Sequence, residues 1–232
     1  MDLILDGLSR AVGLLMSGDI STLRITGLSL QVSLTATALC LLVGLPLGAA
    51  LALVSFPGRW LVLAAVNAGM GLPPVVVGLF ISIMLWRSGP FGQFRLLYTP
   101  TAMVIAQCAL ALPIVVGLTV AAIQQLDPRL RIQLLALGAS RVQLVWLLLR
   151  EARLPLMAAC MAGFGAVISE VGASMMVGGN ITNQTQVLTT ATVLLVSKGE
   201  FADAMALSMV LLSLVLLVNA GLTWAQQRRR VP

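Results

Sequence analysis

Four stretches of the chain, residues 25–58, 60–86, 96–126 and 204–227, carry no charged side chain. Each exceeds the roughly 20 residues of helix that cross a bilayer core. Their apolar character is continuous, whereas a barrel strand would alternate over roughly 10 residues. The pattern predicts membrane-spanning helices at about 28–54, 60–86, 100–123, 154–174 and 203–224. A shorter apolar run at 187–196 has only ten residues. That is too few to cross, so it reads as a short helix at the membrane edge or dipping into it. Ahead of the spans, Leu5, Leu8, Val12 and Leu15 share one helical face, with Asp2, Asp6, Arg10 and Gly13 opposite. Residues 1–20 therefore read as an amphipathic interfacial helix, in which Asp6 and Arg10, four apart, can pair. Early aspartates in place of a basic region argue against a secretory signal. If this helix also crosses, the spans number six instead of five.

Prolines fall inside the second and third spans. The second reads Gly69-Met-Gly-Leu-Pro73-Pro74 at its centre. Two successive prolines remove two backbone donors and kink or break a helix. In lipid such a break is tolerated only where neighbouring helices or a water-filled cavity satisfy the freed carbonyls. It is either a packing kink or a helix lining a path. The third span holds Pro113. Between the fourth and fifth spans, residues 178–185 form a polar insert with two glycines.

Composition narrows the class. Only 9% of the 232 residues are charged and 59% are apolar. A soluble domain carries about 25% charge, so a soluble protein or a disordered chain is excluded. The excess of 14 basic over 8 acidic residues suggests cytoplasmic loops held inside by arginine, not nucleic-acid binding, because no basic run is interleaved with aromatics. With five spans, nine basic residues fall on the side of Arg59, the long loop and the tail, and five on the other. The nine-side is expected to be cytoplasmic, which puts the amino terminus outside and the carboxyl terminus inside.

Chemistry is bounded by what is missing. There is no histidine, so no Ser/His/Asp or Cys/His set is possible. The lone lysine, Lys198, is in no phosphate-cradling loop. Cys40, Cys108 and Cys160 lie far apart in apolar stretches and read as buried packing. No catalytic or metal-ligating set is expected. What stands out is residues 127–153, where seven of the 22 charges fall within 27 residues. An apolar face (Leu134, Leu135, Leu137, Val142, Val145, Trp146) runs through this stretch, with a small-residue corner at Gly138, Ala139 and Ser140. A loop that only joins spans can be short; this one reads as helix, corner and helix, shaped to dock into a partner.

These residues carry a resemblance. Asp127-Pro-Arg129 through Leu137, Gly138, Ala139, Ser140 and Arg141 to Leu154-Pro155 resembles the coupling loop of permease subunits of ATP-binding-cassette importers. The match is partial: Ile132 stands where an acidic residue is usual, and Leu154-Pro155 comes about one helical turn late. A second block, Glu170-Val-Gly-Ala173, Gly179-Asn180-Ile181 and Thr185-Gln-Val-Leu-Thr189-Thr190, resembles permeases for sulfate, molybdate and tungstate, and most closely those for tungstate.

The resemblance implies an all-α polytopic membrane protein of the type I importer permease fold. Residues 1–20 would be the interfacial helix. Residues 28–224 would form the permease domain, with the coupling loop at 124–153 and a basic cytoplasmic tail at 225–232. It implies a bacterial cytoplasmic membrane, a second copy of the chain, two ATP-binding subunits at the cytoplasmic face and an extracytoplasmic oxyanion-binding protein. No cofactor would sit in this chain, since ATP and magnesium belong to the partner. Leu137, Gly138, Ala139, Ser140 and Arg141 would couple to the ATPase. Pro73, Pro74, Glu170, Gly179, Asn180, Thr185 and Thr189 would line the path or its gate. Hydroxyls, amides and helix N-termini suit oxyanions because they donate without trapping them. A carboxylate in such a path would repel them, so Glu170 reads as a cap, or as a gate residue paired with an outer arginine. An ATP-independent secondary transporter would need ionisable groups within several spans, and only Glu170 qualifies.

Overall fold

The computed structural model describes residues 18–228 together with Gly7, Ser9, Arg10, Ala11 and Gly13. Among these the chain is helical, with no strand. Its elements are α1 Ile20–Leu53, α2 Arg59–Gly69, α3 Pro74–Leu85, α4 Pro100–Gln124, α5 Pro128–Ala136, α6 Arg141–Glu151, α7 Arg153–Ile168, α8 Gly172–Gly178, α9 Leu188–Ser197 and α10 Phe201–Arg228.

The long helix α4 is the hub, packed on α1, α2, α3, α7 and α8. It can be central because its inward positions are small: Ala102, Ala106 and Ala111 are completely buried, alongside Met103 and Val115. Lipid tails are as apolar as the core, so close backbone approach, not hydrophobic exclusion, drives helices together in a bilayer. Ala36 and Cys40 of α1 meet Ala111 and Val115 of α4 and Val167 of α7 in one apolar cluster. The outward faces stay apolar, with Leu42, Phe80 and Leu217 among the exposed side chains, as lipid contact requires.

Helices α1, α4 and α10 are each long and apolar enough to cross a membrane, and two bent pairs, α2 with α3 and α6 with α7, raise the number of candidate spans to five. Of the two outcomes open for the double proline, kink or break, the structure shows a break: Arg59–Gly69 and Pro74–Leu85 are two helices of 11 and 12 residues, turned by 105°. Pro73 caps α3 and Pro74 is its first residue, where a missing N–H costs nothing. The prolines thus start a new helix. At the other break, α7 stops at Ile168, and the rest of the 154–174 stretch turns at Glu170 into the short helix α8. Pro113, by contrast, lies inside an unbroken α4.

At the amino terminus Asp6, Leu5, Leu8, Val12 and Leu15 lie outside the described residues, whereas Arg10 lies within them. Its guanidinium pairs with Asp203 of α10 at 2.5 Å, and Ala11 is buried against α9 and α10. The segment is therefore fastened to the last helix of the chain.

Candidate functional site

The coupling segment is built by two caps and a corner. Asp127 accepts the Arg129 N–H at 2.9 Å and Pro128 opens α5. Leu137, Gly138 and Ala139 then make the turn, with Gly138 at φ +84°, a conformation a side chain disfavours. Ser140 starts α6 with a reciprocal capping box: its N–H donates to Gln143 Oε1 at 2.8 Å, and its Oγ accepts from Gln143 N at 3.4 Å. Arg141 is the first residue of α6. Helix α5 buries nothing, and α6 buries only Leu144 and Leu148. Leu137 is 85% exposed and Val142 80%, and Trp146, also exposed, lies under the Arg150 guanidinium at 5.4 Å. The corner is an apolar knob that the described residues leave uncovered.

At the far break Glu170 is 6% exposed. Its carboxylate accepts from Ala173 N at 2.6 Å, Ser174 N at 2.9 Å and Ser174 Oγ at 2.7 Å. It caps α8, satisfying donors that a helix start leaves open. The carboxylate thus makes the bonds of a helix cap in this structure. Ser174 Oγ also accepts from Gln107 Nε2 at 3.3 Å, tying this cap to α4. The Glu170 carbonyl accepts from Thr189 Oγ1 at 3.0 Å.

The polar insert is equally committed. Gly179 ends α8 at φ +71°, and a Cβ there would strike the Tyr98 ring. Asn180 also has positive φ, 49°, and its amide donates to Thr190 O at 3.3 Å. Thr185 Oγ1 donates to Gly178 O at 2.5 Å and accepts Ile181 N at 3.0 Å. These bonds fold residues 179–187 into a knot that links the end of α8 to the first turn of α9. Pro73 and Pro74 approach it through α3, which packs on α8: a Cβ on Gly78 would stand 2.6 Å from Ala173 Cα. One group of expected residues (Glu170, Gly179, Asn180, Thr185, Thr189) is thus drawn together around α8. The coupling corner is separate, since the segment follows the far end of α4.

Three contributors lie outside the expected site residues: Gln107, Ser29, whose hydroxyl accepts the Leu188 N–H at 2.8 Å, and Tyr98, whose N–H bonds Val177 O at 2.9 Å. The first two announce themselves only as polar side chains in apolar runs.

Residues 44–231 match the binding-protein-dependent transport system inner membrane component family. The chain belongs to that family. It is 42% identical over 213 residues to the probable anion ABC transporter permease protein of Haloferax volcanii, covering 90% of this chain and 91% of the relative. It is 40% identical over 220 residues to the tungstate uptake system permease protein TupB of Peptoclostridium acidaminophilum, covering 95% and 96%. Among solved structures, this family member matches a chain of the inward-facing MetNI methionine ABC transporter with TM-score 0.69 over 90% of its own length and 94% of that chain. Identity there is 20%, so the likeness concerns the fold.

Proposed function

We propose that this chain is the membrane-spanning subunit of an ABC importer that moves a tetrahedral oxyanion, tungstate, inward across the cytoplasmic membrane. The observation that carries the reading is the nearly full-length likeness to a tungstate uptake permease, 40% identical over 95% of the chain. Two copies would form the path. Two separate ATP-binding subunits would take the exposed corner at Leu137, Gly138, Ala139, Ser140 and Arg141, and a binding protein would deliver the oxyanion at the opposite end of α4. The energy of transport has to come from states that bind the ligand differently, so ATP-driven closure must reach the helices through this corner. The bend at Pro73 and Pro74 and the capped break at Glu170 are the joints where the helices would move. In this reading Gly179, Asn180, Thr185 and Thr189 act as a gate wall held by its own hydrogen bonds. The nine-to-five split of basic residues supports a cytoplasmic coupling corner and carboxyl tail and an outer amino terminus.

The test is reconstitution with an ATPase subunit and an oxyanion-binding protein. Expected is ATP hydrolysis that requires both the binding protein and tungstate, and that Leu137→Asp uncouples. Absence of stimulation in every pairing would sink the importer reading. Equal stimulation by molybdate or sulfate would widen the substrate to the class.

A further inference from the structure

The 14 residues from Trp86 to Thr99 are more than a connection between α3 and α4. Helix α4 has 25 residues, about 37 Å at 1.5 Å each, so this loop lies at the end of the molecule opposite the coupling segment. Its backbone is closely pinned. Gly89 N bonds Trp86 O at 2.7 Å, Phe91 N bonds Met84 O at 3.0 Å, and Arg95 N bonds Gly92 O at 3.1 Å. A Cβ at Gly89 or Gly92 would collide with carbonyl oxygens at the end of α3. Arg95 and Tyr98 hold positive φ values of 50° and 62°, a costly conformation that persists only where the surroundings enforce it. This closely bonded platform borders an open cleft of about 820 Å³ lined by Arg87, Gln93, Arg95, Tyr98 and Trp86 among others, with no carboxylate among the described lining residues. Both arginines are exposed.

We infer that this cavity is an outer anion-binding vestibule, in which Arg87 and Arg95, helped by Gln93 and Tyr98, hold a tetrahedral oxyanion before it enters the path. The inference rests on the importer reading above and adds to it a permease site that binds the anion without the binding protein. The chemistry is that of the guanidinium fork, whose parallel N–H groups match two oxygens of a tetrahedral anion. A cleft of one charge sign also concentrates counter-ions. The same chemistry would hold the phosphate of a lipid headgroup, and the experiment separates the two sources.

The complex of permease and ATPase, in nanodiscs of zwitterionic lipid and without binding protein, is titrated with tungstate, molybdate, sulfate and inorganic phosphate while tryptophan emission is followed. Trp86 lines the cavity, and Trp86→Phe identifies its share of the signal. A saturable response is expected, lost in Trp86→Phe and weakened by raised salt. Removal of one charge-assisted partner, by Arg87→Gln or Arg95→Gln, should weaken apparent affinity roughly tenfold or more. Gln93→Glu, which leaves both arginines in place, should weaken it as well by adding a like charge to the anion. No saturable response, or an affinity indifferent to all three substitutions, overturns the inference. So does a response that appears only when anionic phospholipid is added, which would assign the site to headgroups. Uptake with binding protein present is measured on the same preparation. Uptake without the Trp86 response removes the vestibule and leaves the importer reading intact; a response with no uptake under any pairing removes the importer reading instead.

Discussion

Substituting Glu170 tests whether the break between α7 and α8 is held by a cap or by a charge in the path. In Glu170→Ala, Ala173 N and Ser174 N lose their acceptor and stay buried, since both residues are inaccessible. A buried donor left unpaired costs about 1–3 kcal/mol, so two amount to roughly 2–6 kcal/mol. Helix α8 has seven residues and cannot absorb such a loss within itself. Its opening should become easier by on the order of a hundredfold, taking about 3 kcal/mol and tenfold per 1.4 kcal/mol. Glu170→Gln keeps one carbonyl oxygen, and its new amide donors can turn toward Ser174 Oγ, so about half the loss is expected. The assay is amide hydrogen exchange of residues 172–178 in nanodiscs, which reads local opening directly, beside transport by the same samples. With Glu170 as the cap, protection falls in the order wild type, Gln, Ala. Unchanged protection in Glu170→Ala would refute it. So would a transport loss in Glu170→Gln with full protection of α8, because that pattern belongs to a charge working in the path.

Three further outcomes follow from other contacts. Gly138→Ala places a side chain at φ +84°; a left-handed alanine costs about 1–2 kcal/mol, so coupled ATPase activity should drop while the melting temperature of the transmembrane body stays put. Arg10→Ala or Asp203→Asn removes an ion pair whose side chains are about half exposed, 54% and 47%, so thermal inactivation should shift by no more than about 1 kcal/mol and less in high salt; a larger shift would mean the amino-terminal segment is held by that pair. The Asp19 carboxyl, which caps α1, is lowered from 3.8 to about 2 by the Ser21 hydroxyl first and then by the Thr22 hydroxyl and N–H. A lowered carboxylate stabilises in full above its ordinary value and stops doing so as pH falls through the folded one. Exchange protection of the Thr22 amide should therefore be flat above about pH 4 and decline toward pH 2, and Asp19→Ala should abolish that pH dependence.

What was legible in the chain divides along the range of the forces involved. Helix α4 was visible almost residue by residue, because Thr99 caps it, Pro100 opens it and no charge interrupts it. The coupling corner was equally visible, since Gly138 and the Ser140 and Gln143 box are local chemistry. Hydropathy runs unbroken through residues 60–86, however, and is blind to direction. Two prolines announce a new helix, but its 105° turn depends on α3 lying against α8, where Gly78 meets Ala173. Nothing near Pro73 in sequence encodes that contact.

The same division explains the polar residues. A buried donor or acceptor in an apolar run has to find a partner, because leaving it bare in lipid costs several kcal/mol. The sequence therefore leads one to expect partners for Ser29, Gln107 and Glu170, but not which; Gln107 Nε2 has one, whereas its buried Oε1 has none among the described residues. Glu170 found its partners three and four residues on, which spacing alone permits. Ser29 found the start of α9, 159 residues away, and Arg10 found Asp203, 193 residues away. Gln107 links the central helix to the cap that holds the break before α8. Such bonds are few, directional and made across elements rather than within them. If the helices of this permease move as bodies during transport, these cross-element bonds must either travel intact with their helices or exchange partners. Helix α8, joined through Ser174 to both Glu170 and Gln107, is where the distinction can be measured.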